Sequence, residues 1–211
     1  GDPPFLLEPR NPPEYPSYFL ESGFETLATY TSSALPLSGK APDLSRALAR
    51  LTRRNITIRD LNPDHFAAEL SAIYDVCLAS FSGNFLYTPI TSREFVHSYS
   101  RVEPCLDPSF VRIAEREGEV IGFLFALPDP AAGPSGGNRV ILKTLAVAPR
   151  HRSAGLGSIL VAQVQERARR KGFSEAIHAM QHESNSSRRI TERYQSRLIR
   201  RYALYHGRCD P

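Results

Sequence analysis

The sequence predicts an α/β fold in which helices cover a central sheet, and three observations carry that prediction. From Asn55 onward the spacing of apolar residues switches repeatedly between the period of a strand and that of a helix. The run "SFVRIAEREGEVIGFLFALP" is two apolar halves split by "EREGE", which reads as a hairpin turning at Gly118. The stretch Arg139–Ala148 is apolar on both alternating sets, Ile141, Leu145 and Val147 on one and Leu142, Ala146 and Ala148 on the other. A strand apolar on two faces belongs inside a sheet covered on both sides.

Taken in order, the proline-dense residues 3–16 argue against regular structure, and "SYFLESGFETLATYTSS" reads as a short helix, a stop at Gly23 and a strand. "LPLSGKAP" reads as a linker and "DLSRALARLTRR" as a basic amphipathic helix. "NITIRDL" is a strand. "PDHFAAELSAIYDVCLASFSG" is a helix with Asp64 as N-cap and Gly83 as its stop, and Thr91 or Ser92 caps the next, "TSREFVHSYSRV". The hairpin follows, then a loop, "DPAAGPSGGN", and the covered strand. Leu156, Ile159, Leu160, Val164 and Ala168 then recur at helical spacing until Gly172. "EAIHAM" is a strand, "SSRRITERYQSR" a helix and "RRYALY" a closing strand, so the α/β domain spans about Asn55 to Arg208.

Composition narrows the class. Hydrophobic content of 41% and charged content of 23% are those of an ordinary globular chain. No window approaches the roughly 18 apolar residues of a membrane helix, and the start "GDPPFLLEPRNPPEYP" has neither the basic nor the apolar run of a signal peptide. Cys77, Cys105 and Cys209 are odd in number and widely spaced, which predicts reduced thiols, no bound metal and a cytoplasmic setting. Arginines cluster after position 149, in "RHR", "RARRK", "RRITER" and "RLIRR". Such clustering fits solvated helix faces, a polyphosphate ligand or nucleic acid, though no aromatic-interleaved basic motif supports the last.

The stretch between the covered strand and the following helix, "APRHRSAGLGS", gathers positive charge and then drops its side chains to hydrogen at Gly155 and Gly157. That order suits a backbone that must approach an anion. No G-x-x-x-x-G-K-[ST] string exists, which excludes a P-loop. A dinucleotide-binding turn keeps Gly155 and Gly157, and Glu175 lies 20 residues on, but Leu160 stands at the third glycine and six residues separate Ala148 from Gly155.

"VAPRHRSAGLG", Val147 to Gly157, resembles the acetyl-CoA loop of the GNAT superfamily of N-acetyltransferases, whose signature is R-x-x-G-x-G after a central strand; Arg152, Gly155 and Gly157 match it. The resemblance, which extends to the element order from Asn55, implies a mixed, mostly antiparallel sheet flanked by helices. It assigns acetyl-CoA as co-substrate, without a metal, and an unidentified primary amine as acceptor. Backbone N–H groups from Arg152 through Ser153, Ala154, Gly155, Leu156 and Gly157 to Ser158 would line a concavity for pyrophosphate at a positive helix end. Leu145, Ala146 and Val147 would hold the acyl-pantetheine arm along the strand, with the Val147 N–H polarising the thioester carbonyl in the manner of an oxyanion hole.

By the same resemblance Asn185 contacts the pantetheine, or caps the next helix. Tyr194 is the candidate acid for the leaving thiolate, although it stands nine residues after Asn185 where the family has its tyrosine at seven or eight. The glutamate that serves as base in histone-type members is Ile141 here; Glu115, Glu117, His178 and His182 are alternatives acting through water. A non-catalytic acyl-CoA-binding module is the competing reading. Residues 1–42 are read as an arm, or as the remnant of an upstream domain of the same type, because "NPPEYPSYFLESGFE" resembles such a domain's closing helix and strand. The domain proper is 43–211. "ETLATYTSS" is expected to pair beside "RRYALY", and a homodimer is left open.

Overall fold

The computed structural model describes the chain except residues 1–2, 7, 40–41, 101–102, 104–105, 131–137, 186 and 208–211, and the side chains of 153 and 154. Cys105, Cys209 and most of the "DPAAGPSGGN" loop therefore lie outside the described residues. The elements are α1 (Tyr15–Glu21), β1 (Glu25–Pro36), α2 (Ser45–Arg53), β2 (Ile56–Asp60), α3 (Phe66–Phe81), α4 (Ser92–Ser100), β3 (Val111–Arg116), β4 (Glu119–Pro128), β5 (Arg139–Val147), α5 (Leu156–Arg170), β6 (Glu175–His182), α6 (Arg188–Thr191) and β7 (Arg197–His206). The strands form one mostly antiparallel sheet in the order β2-β3-β4-β5-β6-β1-β7. The chain divides into two compact units, one of Gly1–Gly39, Pro128–Ile141 and Phe173–Pro211 and the other of Lys40–Leu127 and Leu142–Gly172.

In the second unit the β3–β4 hairpin turns through Glu117 and Gly118, both at positive φ (54° and 79°). A two-residue turn of that conformation matches the twist of the strands it joins. Phe66, Leu70, Ile73 and Val76 of α3 and Phe95 of α4 share a core cluster with Ile113, Phe123, Phe125 and Ala146 of the sheet. The predicted apolar stripe of α5, Leu156 through Ala168, is buried as expected.

Two helix starts need comment. Asp64 is not the cap of α3: it lies inside a 3-10 turn, Pro63–His65, and Asn62 accepts its N–H at 3.0 Å. Thr91 does cap α4, exchanging bonds with Glu94 in a capping box (Glu94 N–H to Thr91 Oγ1, 3.2 Å; Thr91 N–H to Glu94 Oε2, 2.7 Å).

In the first unit β1 pairs antiparallel with both β6 and β7, with Thr29 opposite Ala203 and Ala34 opposite Ile177. It runs to Pro36 with Leu35 and Leu37 buried, so the linker begins later than the sequence indicated. The residues ahead of it are pinned. Arg139 and Asp129 form a buried ion pair at 2.5 Å; Asp129 also accepts the Leu6 N–H at 3.1 Å, and Arg139 donates to the carbonyls of Pro3 and Pro4. Helix α6 is one turn, Arg188–Thr191, not the longer helix expected, and the hydroxyl of its last residue, Thr191, is buried against His178 and Gln181.

Candidate functional site

The loop that the sequence singled out lies in the second unit. Beyond β5 the Ala148 N–H donates to the Ile121 carbonyl at 2.8 Å, and Pro149–Ala154 wind as a 3-10 turn into Gly155. Gly155 sits at φ 80°, ψ 12°, the left-handed region, and is the N-cap of α5. It brings no side chain to the first turn of that helix, whose N–H groups have no carbonyl ahead of them within the helix. The open end of a helix of this length carries partial positive charge and accepts anions.

Gly155 has a second duty. A Cβ built there would lie 3.0 Å from the Cβ of Ala47 and 3.3 Å from a terminal nitrogen of Arg50, both on α2. The missing side chain thus admits a neighbouring helix as well as leaving the turn bare. Gly122 does the same on β4, where a Cβ would meet the Ala146 carbonyl at 3.1 Å and Leu156 and Val147 at 3.3 Å. Sequence reasoning passed over Gly122, although a lone glycine inside a strand is the signal of a close approach.

Arg152 is a brace. Its Nε donates to the Val147 carbonyl at 3.2 Å and a terminal nitrogen to the Ser80 carbonyl at 3.0 Å, in the last turn of α3 where the helix end is negative. Arg150 is ion-paired with Glu119 and donates through Nε to Nε2 of His151 at 3.1 Å. Buried His151 is held below the usual histidine range by desolvation, then by the positive charge of Arg150 and Arg116, with Glu119 opposing and Arg54 adding to the shift. Along β5, Ala146 and Val147 are buried and Leu145 half-buried.

Lys143 was missed by counting only apolar positions on that strand. It is half-buried, has no hydrogen-bond or ion-pair partner among the described residues, and burial pushes its amine below the usual lysine range. On the α3–α4 side, Tyr99 shares a hydrogen bond with Thr144 and lines a small apolar recess with Leu70, Ile73, Phe95, Phe123 and Phe125.

The remaining predicted residues fall in the first unit. Asn185 accepts the Ser187 N–H at 3.0 Å, closing a turn ahead of α6, whose N-cap is Ser187 and not Asn185. Tyr194 lies just past α6, with its hydroxyl buried and without a hydrogen-bond partner among the described residues; burial pushes it up to about 12. Its ring meets His178 edge-on at 6.3 Å between centroids.

His178 is buried and pushed down to about 4 by desolvation, so it is neutral. Its Nδ1 lies 2.7 Å from Thr191 Oγ1, which donates to Gln181 Oε1 at 3.0 Å; Gln181 in turn donates to Ser187. Because Thr191 spends its one proton on Gln181, Nδ1 of His178 is the donor. His178 and Gln181 reach the same hydroxyl although three residues apart, because β6 is bulged at Met180 (φ 44°), whose N–H is taken by Ser32 Oγ at 2.9 Å. No helix among the described residues is long and apolar enough to cross a membrane.

With this geometry in hand, comparison with known proteins gives three findings. The family model described as the acetyltransferase (GNAT) family matches residues 70–195. No curated protein matches by sequence. Among solved structures, a GCN5-related N-acetyltransferase from Sphaerobacter thermophilus superposes with a TM-score of 0.65 at 17% identity, covering 90% of this chain and 55% of that one. The GCN5-related glucosamine N-acetyltransferase region of a fungal multi-domain GH3 β-N-acetylglucosaminidase gives 0.67 at 16% identity, covering 98% of this chain and 24% of that one. The chain thus spans about half and a quarter of the lengths of these two proteins, and at such identities the likeness is one of fold.

Proposed function

The chain belongs to the acetyltransferase (GNAT) family, and from that premise we propose that it transfers an acetyl group from acetyl-CoA to a primary amine by direct attack. The observation that carries the reading is the loop: a left-handed glycine, bare of any capping side chain, opens α5 beside a cluster of arginines. In this reading the N–H groups from Arg152 to Ser158 take the pyrophosphate, with Arg152 setting the loop's shape through its two carbonyl bonds. Backbone groups of Leu145, Ala146 and Val147 hold the pantetheine arm, as does Asn185, and the Val147 N–H polarises the thioester.

The amine nitrogen forms its bond to the carbonyl carbon as the carbon–sulfur bond breaks; the departing sulfur takes a proton and the amine gives one up. Tyr194 is the proposed donor, and a hydroxyl pushed up to about 12 keeps its proton at neutral pH. Calorimetry with acetyl-CoA, and thiol release against a panel of amines, test the reading. Gly157→Val should fold yet lose about 2 kcal/mol or more of acetyl-CoA affinity, since phosphate contacts to N–H groups are charge-assisted. Full affinity in that variant would make the loop a mere turn.

A second reading, an acyl-CoA-binding module without turnover, draws on Ile141 where a base is expected and on the displaced Tyr194. Binding without thiol release on any amine, with affinity unchanged in Tyr194→Phe, would decide for it.

A further inference from the structure

We propose that Ser32 of β1 is a positioning residue for Tyr194, which makes the N-terminal strand part of the transfer machinery. The inference rests on Tyr194 as the acid in the reading above, and it concerns a residue that precedes the family-matched segment 70–195. Ser32, Tyr194 and the residues that link them all lie in the first unit.

The register of β1 against β6 carries the first step. Thr31 lies opposite Gln181 and Ser33 opposite His178, so Ser32 alone faces both Ala179 and Met180. Two residues against one make a β-bulge. Met180 takes φ 44° there, a left-handed conformation that residues with a side chain seldom adopt. The residue across the sheet closes the bulge: Ser32 Oγ accepts the Met180 N–H at 2.9 Å.

Ser32 is fully buried, and its own proton is committed as well. Its Oγ lies 3.1 Å from the Tyr202 hydroxyl, whose proton goes to Glu8 Oε1 at 2.9 Å, so Ser32 donates to Tyr202. Glu8 in turn is paired with Arg200 at 2.9 Å. A hydroxyl that accepts on one side and donates on the other has no apolar substitute.

The consequence reaches Tyr194. In a regular strand, residues three apart point to opposite faces. The bulge turns His178 and Gln181 to one side, where they meet Thr191 Oγ1 at 2.7 and 3.0 Å. Thr191, fixed in this way, holds Tyr194 by its backbone, for its carbonyl accepts the Tyr194 N–H at 3.0 Å. His178 holds the ring, edge-on at 6.3 Å between centroids. The hydroxyl of that ring has no hydrogen-bond partner among the described residues. Tyr194 is therefore seated by two residues whose shared orientation comes from the bulge, and Ser32 closes the bulge.

Thiol release from acetyl-CoA by the full chain tests the assignment, with the fastest amine of the panel as acceptor, or water where no amine turns over. Y194F should lower kcat about a hundredfold, the scale of a lost general acid. S32A should lower kcat about tenfold through misplacement of that acid, with KM for acetyl-CoA within about twofold. Because both changes act through one group, S32A/Y194F should be no slower than Y194F by more than about twofold. S32A/M180G should return to within about threefold of wild type, since glycine holds a positive φ unaided. Nitrogen NMR of the histidine rings, with His178 identified by its loss in H178Q, should show the Nδ1–H tautomer in the wild type and a mixture in S32A. Should S32A not fold, S32C fills the same space with a poor acceptor and is judged by the same outcomes. Multiplying losses in S32A/Y194F, an unchanged kcat or His178 tautomer in S32A, or no rescue by M180G would overturn the role of Ser32 while the acetyl-transfer reading stands. A Y194F protein as fast as wild type, or a wild type that releases no thiol, would instead overturn Tyr194 as the acid and the role of Ser32 with it.

Discussion

Replacing Gly155 by alanine tests whether the loop is constrained by its backbone, by the neighbouring helix, or by neither. At φ 80° an added Cβ meets the backbone penalty for left-handed residues, roughly 1–2 kcal/mol. The new methyl also stands 3.0 Å from Ala47 Cβ, where carbons rest at about 3.5–4.0 Å, so α2 or α5 must give by several tenths of an ångström. Overpacking of that kind costs about 1–3 kcal/mol. The total is about 2–5 kcal/mol, which in a chain of this size lowers the melting temperature by roughly 5–15 °C. Urea denaturation of Gly155→Ala, Ala47→Gly and the double variant gives the two parts separately. Removing the Ala47 methyl should restore the packing part and leave the backbone part, a coupling of about 1 kcal/mol or more. Ala47→Gly alone should cost about 1 kcal/mol through lost helix propensity. A loss below about 1 kcal/mol in Gly155→Ala, or strict additivity in the cycle, would refute the account of this loop.

Two further predictions concern the first unit. Asp129→Asn leaves Arg139 buried without its countercharge and should cost about 3–5 kcal/mol; limited proteolysis should then cut within residues 3–8, and an uncleaved arm would show that Phe5 and Glu8 hold it unaided. Burial pushes His178 down to about 4 from the ordinary histidine value of 6.5, so the unfolded chain binds its proton first and stability falls as pH drops from 6.5 toward 4. The full effect is about 3 kcal/mol, present above that window and lost within it. Urea melts at several pH values should show that slope in the wild type and its absence in His178→Gln; parallel slopes would mean the histidine is charged or exposed.

The elements legible in the sequence are those whose signal is local. The α5 stripe, the Glu117–Gly118 hairpin and the two-faced apolar strand β5 each follow from spacing within a single segment. What stayed hidden depends on partners far along the chain. Asn62 outcompetes Asp64 as a cap because of where the 3-10 turn starts, which no capping rule fixes. The bulge at Met180 that turns His178 and Gln181 to the Thr191 hydroxyl is met by Ser32, far back along the chain, which accepts the Met180 N–H. Pairing of "ETLATYTSS" with the closing strand was foreseen, but its simultaneous pairing with β6 was not. Lys143 was visible as a charge in the middle of β5 and was passed over because the pattern around it was otherwise regular.

The loop shows why a binding motif also reads as a folding motif. Gly155 is required by its φ and by Ala47, Gly122 by the Ala146 carbonyl, and Arg152 is engaged with two carbonyls. Substitutions at these three positions disturb the protein before any ligand arrives, so loss of binding there says little about contact. Gly157 is a different case, since it lies inside the first turn of α5 at ordinary helical geometry. Affinity measured on folded protein should therefore fall in Gly157→Val with little change in melting temperature, whereas Gly155→Ala should lose both together. If Gly157→Val instead lost stability by as much as Gly155→Ala, this glycine too would be held by packing, and the separation of backbone constraint from anion contact would fail.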